Sequence, residues 1–260
     1  MIETFVTAHN LDRKRIFITG LSAGGAMAAV MLATYPEIFM AGAIIAGLPY
    51  GIANTMPQAF DRMRGQGGPS EQILQQHLRD ASGHTGTWPR ISIWQGSADQ
   101  TVVPSNAEAI AAQWRGVHQF EKVRSEVESI HVRWSWCNAA GEVLIEMNTI
   151  NSMGHGTPLG DDGLGAPGPY MLDVGISSTR EIAQFWVIEG SARAASTMAV
   201  TGHRKIRPAS QTAVNDTRWA AMTTAVAADA ATEYPASPRP QGSSVSKIIE
   251  DSLRAAGLMR

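Results

Sequence analysis

Residues 15–27, Arg-Ile-Phe-Ile-Thr-Gly-Leu-Ser-Ala-Gly-Gly-Ala-Met, constrain this chain more than any other stretch. Residues 16–19 read as a short apolar strand, and the small-residue run after Gly24 reads as a helix. Between them Gly20-Leu21-Ser22-Ala23-Gly24 matches G-x-S-x-G, a strand-to-helix turn that presents a serine for nucleophilic attack. Such a turn is strained. The flanking glycines read as a steric requirement, because a Cβ two residues either side of the serine would meet the neighbouring strand or helix. In a chain with 25 glycines the pentapeptide alone is a weak signal, and an ordinary loop serine is the competing reading. The strand before it and the helix after it make Ser22 the candidate nucleophile.

The same strand, turn and helix rhythm recurs. The first helix after the turn spans about 23–35 and is stopped by Pro36; small residues let it lie close on a sheet. Residues 41–46 are an unalternating apolar run, as expected of a strand buried on both faces. Residues 52–89 are polar and helical in pattern, divided by Gly65-Gln66-Gly67-Gly68-Pro69, and read as a cap inserted between strands. A third strand, 90–95, leads through Gly96-Ser97-Ala98-Asp99 into a helix over 104–115. Residues 130–136 and 143–150 alternate around Asn138-Ala139-Ala140-Gly141, a hairpin signal. An amphipathic helix spans 177–188, capped by Ser177 or Ser178. The predicted fold class is therefore α/β, with a mostly parallel sheet, a helical cap insertion and a low-complexity tail.

Composition divides the chain near residue 190. Residues 1–190 carry 12 Lys and Arg against 18 Asp and Glu, whereas 191–260 carry 9 against 5. Residues 191–243 hold fourteen alanines but no Leu or Phe, too little apolar area for a core. Three segments follow: an α/β domain over 1–189, a flexible linker over 190–243, and an amphipathic C-terminal helix over 244–260. A net charge of −2 argues against nucleic acid as a partner. No apolar run reaches 18 residues, so no transmembrane helix is expected. Cys137 is the single cysteine and reads as a structural thiol. There is no Cys/His cluster and no phosphate loop, so neither a metal nor another cofactor is expected.

On a parallel sheet, ligand sites form at the carboxyl ends of strands. Ser22, Asp99 and His155 fall there, after the first strand, the third and the last. Proton bookkeeping gives each a role: Ser22 attacks an ester carbonyl, His155 moves its proton, and Asp99 holds the imidazole. Asp99 could instead close an Asx-turn, and His155 could be a loop histidine. Together, in this order and each at a strand end, they support one another. Ala23 N–H is the candidate oxyanion donor, while Tyr50 and Trp94 are candidate substrate contacts in an apolar cleft.

Gly20-Leu21-Ser22-Ala23-Gly24-Gly25, Ala46-Gly47-Leu48-Pro49-Tyr50-Gly51, the block 94–102 (Trp-Gln-Gly-Ser-Ala-Asp-Gln-Thr-Val) and Gly154-His155-Gly156-Thr157-Pro158 resemble the esterase/polyhydroxybutyrate depolymerase family of α/β-hydrolases. The resemblance covers about residues 1–189. It implies a serine hydrolase of carboxylic esters, polymeric or small, with Ser22, Asp99 and His155 as its triad. Feruloyl and acetylxylan esterases are related, and serine peptidase chemistry on the same triad is a further alternative. The chain departs from the family before the elbow, where only about fifteen residues stand in place of some four strands. That departure implies the C-terminal part of an α/β-hydrolase fold, an exposed hydrophobic edge at the elbow strand, and only one of two oxyanion donors. A non-catalytic binding module is the reading it opens. The expected location is extracellular if a longer form carries a signal peptide, and otherwise cytoplasmic.

Overall fold

The computed structural model describes residues 2–188, and the expected linker at 190–243 and helix at 244–260 lie outside the described residues. The apolar runs form the centre of a six-stranded sheet. Its order is β1 (Phe17–Leu21), β2 (Ala41–Ile45), β3 (Arg90–Gly96), β6 (Val143–Ile150), β5 (His131–Cys137) and β4 (Lys122–Glu128). The first four are mutually parallel, and β5 and β4 run antiparallel to their neighbours. The sequence hairpin is thus β5–β6. Strand β4 has no counterpart in the sequence reading: every residue of Lys-Val-Arg-Ser-Glu-Val-Glu is exposed, so no buried face imposes an apolar period. Its charges suit an outer strand that must not recruit another.

Helix α2 (Ala23–Thr34) packs on β1 and β2 through Gly25, Ala28, Ala29, Leu32 and Ala33. The approach is close enough that a Cβ on Gly42 would lie 2.3 Å from Leu32 Cδ1. Helix α5 (Ser105–Arg115) covers β3 and β6 with Ile110, Ala111 and Trp114 buried. A core of Ala43, Ile45, Trp94, Ile150 and Met153 receives Ile182 from α6 (Ser178–Phe185), whose N-cap is Ser177. Helix α1 (Ile2–His9) buries only Val6.

The polar insertion carries α3 (Met56–Met63) and α4 (Glu71–Asp80). Both are tied to α5. Asn106 Nδ2 donates to Arg62 O and Met63 O at the end of α3. Gln113, fully buried on α5, donates to Leu74 O of α4 at 2.9 Å. A short parallel pair, β7 (Thr157–Leu159) with β8 (Met171–Asp173), follows the main sheet. Three-residue strands leave too little pattern for sequence to mark.

Candidate active site

Leu21, Ile45, Trp94 and Asn148 stand side by side across β1, β2, β3 and β6. The loops leaving these four strands therefore emerge along one edge, and all three candidate catalytic residues lie on them. Ser22 occupies the β1–α2 turn with φ 59° and ψ −118°. A non-glycine residue there costs about 1–3 kcal/mol and persists only when its surroundings hold it. Here the Ser22 N–H donates to Ile45 O at 2.9 Å, and Ser22 O accepts from Ala26 N at 2.9 Å.

The glycines around it divide unequally. A Cβ on Gly20 would lie 2.2 Å from the carbonyl of Gly24, and one on Gly25 would lie 2.9 Å from Ile45 O. One on Gly24 would meet nothing within 4 Å. The steric requirement read at both motif glycines therefore holds at Gly20 and passes from Gly24 to Gly25, because Gly24 faces outward from the first turn of α2. Ala23 opens that helix, so its N–H stands outside the intrahelical ladder.

Asp99 is buried, and its side chain receives four N–H donors. Oδ1 accepts from Thr101 N at 2.8 Å and Val102 N at 2.9 Å. Oδ2 accepts from Gln95 Nε2 at 3.2 Å and lies 2.7 Å from His155 Nδ1. The Asx-turn and the histidine partner, alternatives in the sequence, are both present: one oxygen serves each. An ionised carboxylate accepts only, so Nδ1 carries the proton and Nε2 is left as the basic nitrogen.

The loop carrying His155 is drawn across β3. Ala98 N donates to Met153 O, Ser152 N donates to Ser97 Oγ, and a Cβ on Gly96 would lie 2.2 Å from Met153 O. Tyr170, which sequence gave no reason to single out, packs edge-on against the imidazole at 5.9 Å between centroids. It arrives through the β7–β8 pairing, where Thr157 N donates to Tyr170 O. Ser22 is not joined to the pair. Among the described residues no hydrogen bond links its hydroxyl to His155. Strands β1 and β3 are separated by one strand, about 10 Å in all at ordinary sheet spacing.

Tyr50 stands half-buried in the loop after β2. Gln113 fixes its backbone, accepting from Tyr50 N at 3.0 Å and donating to Tyr50 O at 2.8 Å. Trp94 is not a cleft residue. It has no exposed surface, and its indole N–H donates to Ser92 Oγ, which donates in turn to Glu146 Oε1 at 2.6 Å. Removal from water holds the Glu146 carboxyl above its ordinary value, against the opposing pull of the Ser92 hydrogen bond. Among the described residues no cluster of His, Cys, Asp or Glu could hold a metal ion, and no helix is long and apolar enough to cross a membrane.

The family model described as Esterase PHB depolymerase matches residues 1–142, more than half of the chain. The chain belongs to this family. Poly(3-hydroxyalkanoate) depolymerase C of Paucimonas lemoignei is 37% identical over 198 residues, covering 73% of this chain and 48% of that protein. An acetylxylan esterase of Coprinopsis cinerea is 32% identical over 154 residues, 57% of this chain and 41% of that protein. The chain therefore spans about half the length of the curated relatives it matches. Among solved structures, an acetyl xylan esterase from Aspergillus awamori superposes with a TM-score of 0.58 at 21% identity, over 72% of this chain and 64% of that one. A PHB depolymerase complexed with R3HB trimer gives a TM-score of 0.52 at 21% identity, over 70% and 53%. Both are likenesses of fold. The mostly parallel sheet with its helices is the α/β-hydrolase architecture of these esterases, as the resemblance implied.

Proposed function

We propose that Ser22, His155 and Asp99 form a triad that hydrolyses carboxylic esters through an acyl-enzyme. The observation that carries this reading is the 2.7 Å contact between Asp99 Oδ2 and His155 Nδ1, on the sheet edge that also bears the strained serine. With Nδ1–H committed to Asp99, Nε2 takes the proton of Ser22 as Oγ attacks the ester carbonyl. The tetrahedral oxyanion is met by the Ala23 N–H at the head of α2, where the helix dipole adds to the hydrogen bond. His155 then protonates the leaving alcohol, which departs and leaves Ser22 acylated. Water, deprotonated by the same nitrogen, releases the acid and restores Ser22.

The substrate proposed first is a poly(3-hydroxyalkanoate) or its oligomers, supported by the relationship to the Paucimonas lemoignei depolymerase. Acetyl esters on xylan are the second, supported by the acetylxylan esterase relatives. A non-catalytic binding module is the competing class, favoured by the absence of a bond between Ser22 and His155 among the described residues.

A fluorophosphonate probe tests the assembly directly. Incubated with the full 260-residue chain, it is expected to label Ser22, located by peptide mass spectrometry, and to leave Ser22→Ala unlabelled. p-Nitrophenyl butyrate turnover should fall by a factor of about 10⁴ or more in that variant. Ester turnover that survives Ser22→Ala would sink the triad, and no labelling of the parent chain would favour the non-catalytic reading. Comparison of amide with ester turnover separates peptidase from esterase chemistry.

A further inference from the structure

Gln95 is the penultimate residue of β3 and 1% exposed. Its side-chain nitrogen lies 2.9 Å from Val102 O, 3.2 Å from Asp99 Oδ2 and 3.3 Å from Gly96 O. All three neighbours accept hydrogen bonds and cannot donate to it. The amide orientation is thereby fixed, since rotating it by 180° would set Oε1 against three oxygens. Two protons serve three acceptors, so Val102 O takes one and Asp99 Oδ2 shares the other with Gly96 O. One side chain thus gathers the strand end, the Asp99 turn and the loop beyond it.

We infer that Gln95 is a positioning residue that acts on His155 through Asp99. The inference rests on the triad reading above. Asp99 has no exposed side-chain surface from which water could substitute for a lost donor. Its two oxygens offer about four acceptor sites, and four donors fill them: Thr101 N, Val102 N, Gln95 Nε2 and His155 Nδ1. The backbone donors fix Oδ1. Gln95 donates to Oδ2, the oxygen that meets His155, and so fixes the direction left for the imidazole. Without it, the carboxylate keeps its two backbone donors but is free to rock about them, and His155 loses a single orientation.

The test uses the full chain with Gln95→Leu and, as a second variant of similar volume and unbranched shape, Gln95→Met. The expected result is kcat for p-nitrophenyl acetate lower by about tenfold to hundredfold, the range for a hydrogen bond to a charged group, with KM within about twofold. The low-field proton resonance between His155 and Asp99 should shift or broaden in the same variants, a change that mere filling of the core would not produce. Folded variants with kcat and this resonance both unchanged would overturn the inference. If neither variant folds, a third substitution decides: relative to the parent chain, Asp99→Asn must move the Gln95 side-chain amide resonances, and unmoved resonances overturn it equally. These resonances need no turnover, so a chain inactive on esters sinks the triad reading while leaving the Gln95–Asp99 coupling measurable by itself.

Discussion

Lowering the pH from 7 to 4.5 should remove about 2.5 kcal/mol of folding stability through one side chain, His118. It lies just beyond α5, 9% exposed, with Nε2–H donating to Pro89 O at 3.0 Å and the ring against Trp114. Burial pushes the imidazole down to about 4, against the opposing effect of the Pro89 hydrogen bond, whereas the unfolded chain titrates near 6.5. Between these two values the unfolded chain binds a proton that the folded chain refuses. The contribution of the neutral ring is therefore complete above about pH 6.5, declines as pH falls, and is exhausted below about 4. At pH 4.5 the unfolded chain is two units below its midpoint. At about 1.4 kcal/mol per unit, less the folded chain's own partial protonation, this gives roughly 2.5 kcal/mol. Buried Glu146 and half-buried Glu181, whose carboxyls are held high by desolvation, change stability with the opposite sign. The measurement is consequently a difference between two chains. Urea unfolding followed by tryptophan fluorescence, at pH 7 and 4.5, compares the parent with His118→Gln, which keeps a donor for Pro89 O and cannot titrate. The loss on acidification should be smaller in the variant by about 2.5 kcal/mol. Equal losses in the two chains, to within about 0.5 kcal/mol, would refute the burial argument.

Three further substitutions address the scaffold of the site. Gly20→Ala sets a Cβ 2.2 Å from the Gly24 carbonyl and should destroy the elbow, seen as loss of folded protein or a collapse of the thermal midpoint. Gly24→Ala meets nothing and should stabilise α2 by about 0.5–1 kcal/mol, so a loss of stability there would count against the outward orientation of Gly24. Gln113→Leu leaves Tyr50 N, Tyr50 O and Leu74 O without their partner and should cost about 2–4 kcal/mol in urea unfolding. A cost under about 0.5 kcal/mol would show that the loop after β2 does not depend on that clamp.

What sequence could reveal about this molecule follows the range of the forces involved. The elbow was legible because a turn of one residue between strand and helix imposes its sterics locally. Asp99 was legible because an Asx-turn and a strand end coincide within a few residues. Gln113 was not, since the atoms it clamps belong to residues 63 positions away at Tyr50 and 39 away at Leu74. Gln95 lies in a block already marked by its resemblance to a family, yet a buried amide and an exposed one read alike until three acceptors converge on it. Trp94 misled for a related reason. A tryptophan near a strand end looks the same whether its ring faces a cleft or, as here, the sheet interior. Gly24 misled through the motif itself, which names a glycine where the steric demand falls one residue later.

The sheet order has a mechanical consequence. Strand β3, which leads to Asp99, is hydrogen-bonded along both flanks, by β2 and β6. Strand β1, which leads to Ser22, is paired only with β2 among the described residues and ends that side of the sheet. Strand β4, at the opposite end, carries charged side chains along its length. Ser22 and Asp99 are thus mounted on supports of unequal stiffness. Among the described residues the position of Ser22 is carried by a single ladder of backbone bonds, and a neighbour that braced or loosened that ladder would move the serine without touching either His155 or Asp99.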